Sequence, residues 1–195
     1  MGTNIFQEEI NLLPKNQLHV LRHFGFISDN YKNQLSNLLD IKYIIIETEL
    51  TKVGSKFNNS YFKTPIEVLD LIKNLTPKKT ISQDDGSIVN SYLVEEAIFP
   101  GGIGTDSIFE ISKLTNEYLS SLRNEIRSGF NIKVLDVDEL PITYEIQAVL
   151  KIEKEQLYVI TLFPGKYAPP FPTIKENKFD SILFWESNCF LKLKN

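Results

Sequence analysis

Cysteine and histidine are scarce in this chain of 195 residues, and their scarcity excludes several classes of site. The one cysteine, Cys189, cannot form an internal disulfide, which favours a reducing compartment, and its apolar neighbours indicate a buried thiol. His19 and His23 are the two histidines, and no Cys or acidic side chain accompanies them at the spacing of metal ligands. Because no histidine follows His23, a histidine-dependent catalytic triad is excluded from the C-terminal region.

Long apolar runs and basic blocks are missing too. No segment approaches the roughly 20 apolar residues that a membrane span requires, and the first 13 residues lack the basic and apolar stretches of a secretion signal. We expect a cytoplasmic protein without a membrane partner, while export as the cleaved end of a larger effector stays open. The formal net charge of −4, from 21 basic and 25 acidic side chains, argues against general affinity for nucleic acid.

Apolar residues are abundant enough to fill a core. They make up 42% of the chain and include 13 Phe and 8 Tyr. The patterns predict an α+β fold, with a helical N-terminal region followed by a mainly antiparallel twisted sheet that has helices packed on one face. The polar stretch at 83–87 divides a mostly helical region with one strand (1–82) from an α+β domain (83–195), and one continuous domain is the alternative.

Helical periodicity and capping residues predict the elements of the N-terminal region. They are helices over 5–13 and 17–24, a third helix that Ser28 or Asp29 caps and that reaches Leu39, and a strand over the β-branched run 41–49. The clearest helix begins after Thr64, because Pro65 suits the first helical position and Glu67 completes a capping box.

The C-terminal region alternates strands with helices. The predicted strands cover 91–99, 132–137, 143–152, 157–163 and 189–193. The strands 143–152 and 157–163 are joined in a hairpin through 153–156. Asp106 caps a predicted helical segment that reaches residue 114. Thr115 caps a predicted helix over 115–127 that Gly129 closes, and a short helix is predicted for 179–185.

The hairpin carries a resemblance to a known family. The stretch from Tyr144 to Leu150, then 157–166 with its final Gly165 and Lys166, resembles the central hairpin and Gly-Lys turn of RelE-type ribonuclease toxins, part of the barnase-like toxin group. The order of elements after residue 90 is similar to that layout. The segment 163–172 and the later Phe-Trp pair also resemble C-terminal toxin modules of bacterial polymorphic systems, so the likeness covers about half of the chain.

The resemblance implies RNA as the partner and metal-independent phosphoryl transfer that needs no cofactor. Arg127 and Lys166 match the family's catalytic cations in chemical type, and the resemblance implies that they would offset the charge of the phosphorane-like transition state. Tyr167 or Glu145 would be the acid or the base. The sequence leaves open whether the chain is an enzyme at all.

Two other functions compete with RNA cleavage. One is a non-catalytic acidic binding protein, such as an immunity or adaptor protein of a bacterial system, whose cognate protein partner is basic. The other is a small-molecule enzyme with its pocket between the two regions. The acidic composition favours the binding protein, the order of elements favours the ribonuclease, and the oligomeric state stays open.

Overall fold

The computed structural model describes residues 9–173 and 179–195, which form the predicted α+β fold. Before residue 83 the elements are β1 (Ile10–Asn11), α1 (Pro14–Val20), a 3₁₀ turn (Leu21–His23), α2 (Asp29–Leu39), α3 (Tyr43–Leu50), α4 (Pro65–Lys73) and β2 (Lys79–Ser82). After it they are β3 (Ile88–Leu93), β4 (Gly104–Thr105), β5 (Ile108–Glu110), a 3₁₀ turn (Ile111–Lys113), α5 (Asn116–Ser120), β6 (Arg123–Arg127), β7 (Phe130–Val137), β8 (Ile142–Thr143), β9 (Glu145–Glu153), β10 (Gln156–Pro164), α6 (Phe179–Ser187) and β11 (Asn188–Leu193). None of the helices in these ranges combines the length and the apolar character that crossing a membrane requires.

The larger sheet has the strand order β1-β10-β9-β3-β2. Its neighbours pair antiparallel except β1 and β10, which are parallel. Ile146, Ala148 and Leu150 of β9 are buried in one cluster with Val20 of α1 and Val68 of α4. Since successive side chains of a strand point to opposite faces, the residues of β9 that alternate with these three point away from the helices.

The smaller sheet has the order β5-β11-β7-β6, with β11 parallel to β7. Trp185 of α6 is buried against Ile132 and Val134 of β7. Its indole Nε1–H donates to the Pro169 carbonyl at 3.1 Å, and its ring lies 4.6 Å from that of Phe171. Helix α6 and the proline-rich segment after β10 are therefore fixed together on one face of this sheet.

Two of the predicted N-caps, those of α2 and α4, are confirmed. Ser28 is the N-cap of α2, and its hydroxyl accepts from the Tyr31 amide at 3.3 Å. Helix α4 begins at Pro65 behind the predicted capping box, in which the Glu67 carboxylate accepts from the Thr64 amide at 3.0 Å. Each cap satisfies amide groups that have no partner inside the helix.

Two predictions for the N-terminal region are wrong. The run 41–49 is not a strand, and its residues 43–49 belong to α3. Asp40 ends α2 in the left-handed conformation (φ 52°), and another helix follows. Of the three consecutive isoleucines only Ile46 is buried. The strand preference of β-branched residues depends on packing within a sheet, and this segment pairs with no strand in the part of the chain that the structure describes. Of the predicted helix 5–13, residues 5–8 lie outside the described residues, the remainder contains the two-residue strand β1, and Pro14 begins α1 instead of ending a helix.

The predicted helices over 106–114 and 115–127 are largely wrong as well. Asp106 leads into strand β5 and a 3₁₀ turn, and α5 ends at Ser120 before strand β6. Ser128 and Gly129, with φ of 51° and 81°, form a two-residue turn from β6 into β7. Positive φ at both positions is typical of hairpin turns whose twist matches the strands. Gly129 has the expected conformation, but it closes a hairpin and not a helix.

The stretch 83–87, where the sequence predicts a domain division, is the turn between β2 and β3. The larger sheet therefore combines strands from both sides of this point. Whether the two parts fold separately stays a prediction.

Candidate functional site

A cleft of about 520 Å³ opens on the face of the larger sheet that points away from α1 to α4. Its sheet side is formed by residues of three neighbouring strands and the residue before β2: Lys78, Lys79, Ile81, Ser91, Glu145 and Gln147. Its other side is formed by the segment after β10 and by α6: Lys166, Tyr167, Pro169, Asp180 and Phe184. A cavity of this size is typical of sites that hold a small ligand or part of a larger one.

The strand register explains why residues far apart in sequence meet in the cleft. Lys79 pairs with Ser91, and Ser91 pairs with Gln147, so the three side chains form one row across β2, β3 and β9. The Ser91 hydroxyl donates to Gln147 Oε1 at 2.6 Å. The floor of the cleft is therefore a polar row on an otherwise regular sheet.

The turn that follows β10 is fixed by three hydrogen bonds. The Gly165 amide donates to the Glu145 carbonyl at 2.9 Å, and Gln147 Nε2 donates to the Gly165 carbonyl at 2.8 Å. The Lys166 amide donates to the Asp106 carboxylate at 3.1 Å. Lys166 therefore projects from a turn that two separate parts of the chain, strand β9 and Asp106, hold in place.

Glu145 lies at the start of β9 with a cation close to its carboxylate. Its Oε1 is 3.6 Å from Lys78 Nζ. The Lys78 amide donates to the Ser91 carbonyl at 2.7 Å, which fixes the backbone from which the ammonium extends. The cleft thus presents two carboxylates, Glu145 and Asp180, together with three lysines, Lys78, Lys79 and Lys166.

Tyr167 is half-buried beside the turn between β2 and β3. Its phenol oxygen accepts from Gln83 Nε2, and Gln83 Oε1 in turn accepts from the Ser87 hydroxyl at 2.7 Å. Burial raises the pKa of the Tyr167 phenol, so it stays protonated at neutral pH. Tyr167 is therefore suited to donate a proton and not to abstract one.

The structure brings together Glu145, Lys166 and Tyr167 but places Arg127 elsewhere. Arg127 lies on β6 of the smaller sheet, where its Nη2 is 2.7 Å from Glu125 Oε2. Glu125 also bonds to Arg123, whose Nε is 2.7 Å from Asp136. Hydrogen bonds from Arg123 and Arg127 lower the pKa of Glu125 to about 2. Arg127 thus belongs to a solvent-facing network of ion pairs.

Sequence reasoning missed Lys78, Lys79, Asp180 and Phe184 as residues of the site. The two lysines belong to a polar stretch for which the sequence predicts a linker or an exposed loop, and only the pairing of β2 with β3 brings them to Glu145. Pairing between distant strands leaves no local pattern in the sequence. The adjacent lysines before a Gly-containing turn were the one available signal.

The two histidines lie outside the cleft lining. His23 is largely buried, and its Nδ1 is 3.0 Å from the Ser55 carbonyl oxygen. His19 is exposed. Within residues 9–173 and 179–195, no group of three or more His, Cys, Asp or Glu side chains is arranged to hold a metal ion.

Comparison of the chain with protein-family models, with curated proteins and with solved structures found no match. Neither the resemblance to RelE-type toxins nor the immunity-protein alternative gains a relative from these comparisons. The function of the cleft is therefore inferred from its own residues.

Proposed function

We propose that the cleft binds single-stranded RNA and cleaves it by metal-independent phosphoryl transfer, as a toxin-like ribonuclease. The observation that supports this proposal is the meeting of Glu145, Lys166 and Tyr167 in one cleft with Lys78 and Lys79. A volume of about 520 Å³ suits part of one extended strand and is too small for a duplex. Unpaired RNA also offers bases that are free to stack on aromatic side chains, of which the cleft has two.

Three lysines supply the positive charge that a phosphodiester requires. Lys78 and Lys79 extend from the start of β2, and Lys166 extends from the fixed turn opposite them. A cation in a fixed position stabilises charge that develops on the phosphoryl oxygens in the transition state. Lys166 takes this role because three hydrogen bonds hold the turn of Gly165 and Lys166 from which it extends, and Lys78 and Lys79 bind the flanking phosphates.

Glu145 and Tyr167 take the roles of the base and the acid. Glu145 accepts the proton of the 2′-hydroxyl while the 2′-oxygen forms its bond to phosphorus. The bond between phosphorus and the 5′-oxygen breaks, and the protonated Tyr167 donates its proton to that oxygen. The products are a 2′,3′-cyclic phosphate and a 5′-hydroxyl, and the reaction requires no cofactor.

Cleavage of an unstructured, fluorescently labelled oligoribonucleotide in the presence of EDTA tests this mechanism. We expect Glu145→Gln, Lys166→Ala and Tyr167→Phe each to slow cleavage about 100-fold or more. Lys151→Ala is the matched control, because this lysine lies on β9 and pairs with Glu153 at 4.0 Å. A deoxyribonucleotide strand of the same sequence, which lacks the nucleophile, has to stay intact.

Two results of the same assay contradict the proposal. One is RNA that stays whole at high enzyme concentration, and the other is a product without a cyclic phosphate. Arg127→Ala, made beside the others, decides the role that the resemblance implies for this residue. Its position outside the cleft lining predicts a rate close to that of the parent.

A non-catalytic acidic binding protein is the second candidate, favoured by the distribution of exposed carboxylates. Glu95, Glu96, Asp138 and Glu139 are exposed at two turns, and the chain carries a net charge of −4. Such a surface attracts a basic protein partner. Salt-sensitive binding of poly-lysine that Glu95→Lys and Glu139→Lys weaken, together with intact RNA in the cleavage assay, would favour this function.

A further inference from the structure

We propose that Asp106 is a positioning residue, whose buried carboxylate fixes the turn formed by Gly165 and Lys166 and thereby the point from which the Lys166 ammonium enters the cleft. The choice of RNA as the ligand rests on the proposed function, but the geometry of the turn does not. Asp106 itself does not line the cleft, so its effect on a ligand passes through Lys166.

Asp106 connects the two sheets through its two carboxylate oxygens. It lies between β4 and β5 and is 8% exposed. Oδ1 accepts from the Ile108 amide at 2.9 Å at the start of β5 in the smaller sheet. Oδ2 accepts from the Lys166 amide at 3.1 Å after β10 of the larger sheet. Each oxygen therefore holds a backbone amide from a different sheet.

Gly165 shows that the turn is built around this carboxylate. A Cβ at position 165 would lie 2.7 Å from Asp106 Oδ1 and 2.8 Å from its Cγ, and the φ of 95° is one that side chains rarely adopt. Only glycine allows the backbone to lie this close to the carboxylate. The close contact between the Asp106 carboxylate and the backbone therefore requires glycine at position 165.

The charges around Asp106 make a positioning role distinguishable from an electrostatic one. Burial raises the pKa of Asp106, and its amide hydrogen bonds and the Lys166 ammonium oppose this shift, while Glu145 reinforces it. Glu110 of β5 is a further carboxylate that interacts with Lys166. A carboxylate near Lys166 weakens the binding of an anion through its charge alone. Removing that charge strengthens binding unless the carboxylate also holds the lysine in place.

The experiment compares two variants that remove one negative charge each. The probe is a fluorescein-labelled single-stranded oligouridylate, and its affinity is measured by anisotropy at neutral pH. We expect Asp106→Asn to weaken binding about tenfold or more, because its NH2 group replaces one of the two accepting oxygens and a donor then faces a backbone N–H. Glu110→Gln leaves the turn intact, so its affinity is expected to equal or exceed that of the parent. Equal strengthening by both variants would overturn the proposal.

Gly165→Ala is the second variant, because it keeps the charge of Asp106 and displaces the turn by collision. We expect Gly165→Ala to lower the affinity for the probe, as Asp106→Asn does. Unchanged affinity in a folded Gly165→Ala protein would contradict a role for the turn geometry.

A measurement without RNA separates this inference from the proposed function. In NMR spectra the amide protons of Lys166 and Ile108 are expected to titrate with one common midpoint, the pKa of Asp106, which burial raises from the ordinary Asp value. Asp106→Asn removes this titration, and Glu110→Gln keeps it. If the parent binds no RNA while both amides titrate, the proposed function fails and the positioning contact stands. If the Lys166 amide does not respond, the positioning role fails whatever the cleft binds.

Discussion

Replacing Gln147 by leucine removes the central polar group of the cleft floor. Gln147 is 1% exposed, and its amide bonds both to the Gly165 carbonyl, at 2.8 Å, and to the Ser91 hydroxyl, at 2.6 Å. Leucine fills a similar volume but leaves the carbonyl without that donor and the hydroxyl without that acceptor. Each lost partner costs about 1–3 kcal/mol in a buried site, and Ser91 is only half-buried, so we expect Gln147→Leu to lower the free energy of unfolding by about 2–4 kcal/mol.

Urea denaturation followed by the fluorescence of Trp185, the one tryptophan of the chain, measures this loss. The double-mutant cycle with Ser91→Ala divides it between the two hydrogen bonds. We expect Ser91→Ala alone to cost about 1 kcal/mol, and the remainder of the Gln147→Leu effect to persist in the Ser91→Ala background. A total loss below about 0.5 kcal/mol with an unchanged m-value would refute the claim that Gln147 holds the turn.

Three further predictions concern residues outside the cleft. Burial lowers the pKa of His23 to about 3. Below pH 6.5 the unfolded chain therefore binds a proton that the folded one does not, and the free energy of unfolding drops by about 3 kcal/mol between pH 7 and pH 4. His23→Gln is expected to flatten this dependence in urea titrations, and parallel curves for parent and variant would contradict it. Lys154 and Glu155 adopt φ of 49° and 65° in the turn between β9 and β10. Replacing them by Asn-Gly is therefore expected to raise the thermal midpoint of unfolding and to increase the free energy of unfolding by about 1–2 kcal/mol. An unchanged or lower midpoint would argue against this turn. Burial raises the pKa of Cys189 to about 11, so its thiol is expected to react with a disulfide reagent at pH 8 only after urea is added, and rapid reaction of the native protein would place it at the surface.

Local chemistry made part of the fold predictable. The capping box at Thr64 and Glu67 needs only residues three apart, and α4 begins where they indicate. Two strand-like apolar runs, 143–152 and 157–163, separated by the polar residues 153–156, predicted the hairpin of β9 and β10, which the structure confirms. In each case the residues that carry the signal also make the contact.

The errors occur where a contact from elsewhere in the chain decides the local structure. Strand β6 was predicted as the end of a helix, although Arg123, Glu125 and Arg127 alternate with exposed residues and the Ser-Gly pair after them is a hairpin signal. The cap Thr115 does begin a helix, but α5 is five residues long. Pairing with β7 outweighs the helical preference of the residues that follow.

The sequence indicated some residues of the candidate site but not all of them. The hairpin and its Gly-Lys turn pointed to Glu145, Lys166 and Tyr167, because these residues lie at the ends of two neighbouring strands. Lys79 required the pairing of β2 with β3, and Asp106 required the contact between the two sheets. Neither contact leaves a pattern within a short stretch of sequence.

Net charge is a poor guide to this cleft, because charge acts over a short range in salt solution. At physiological ionic strength the interaction between exposed charges falls off within about 8 Å, so a bound phosphate responds mainly to the groups around it. The cleft is lined by three lysines and by two carboxylates, Glu145 and Asp180. Close to Lys166 there are also Asp106 and Glu110, and Glu110 is paired with Lys113 at 2.7 Å. Elsewhere Glu125 is balanced by ion pairs with Arg123 and Arg127. An overall charge of −4 is therefore compatible with an anion-binding cleft, since the excess of carboxylates lies on other surfaces of the protein.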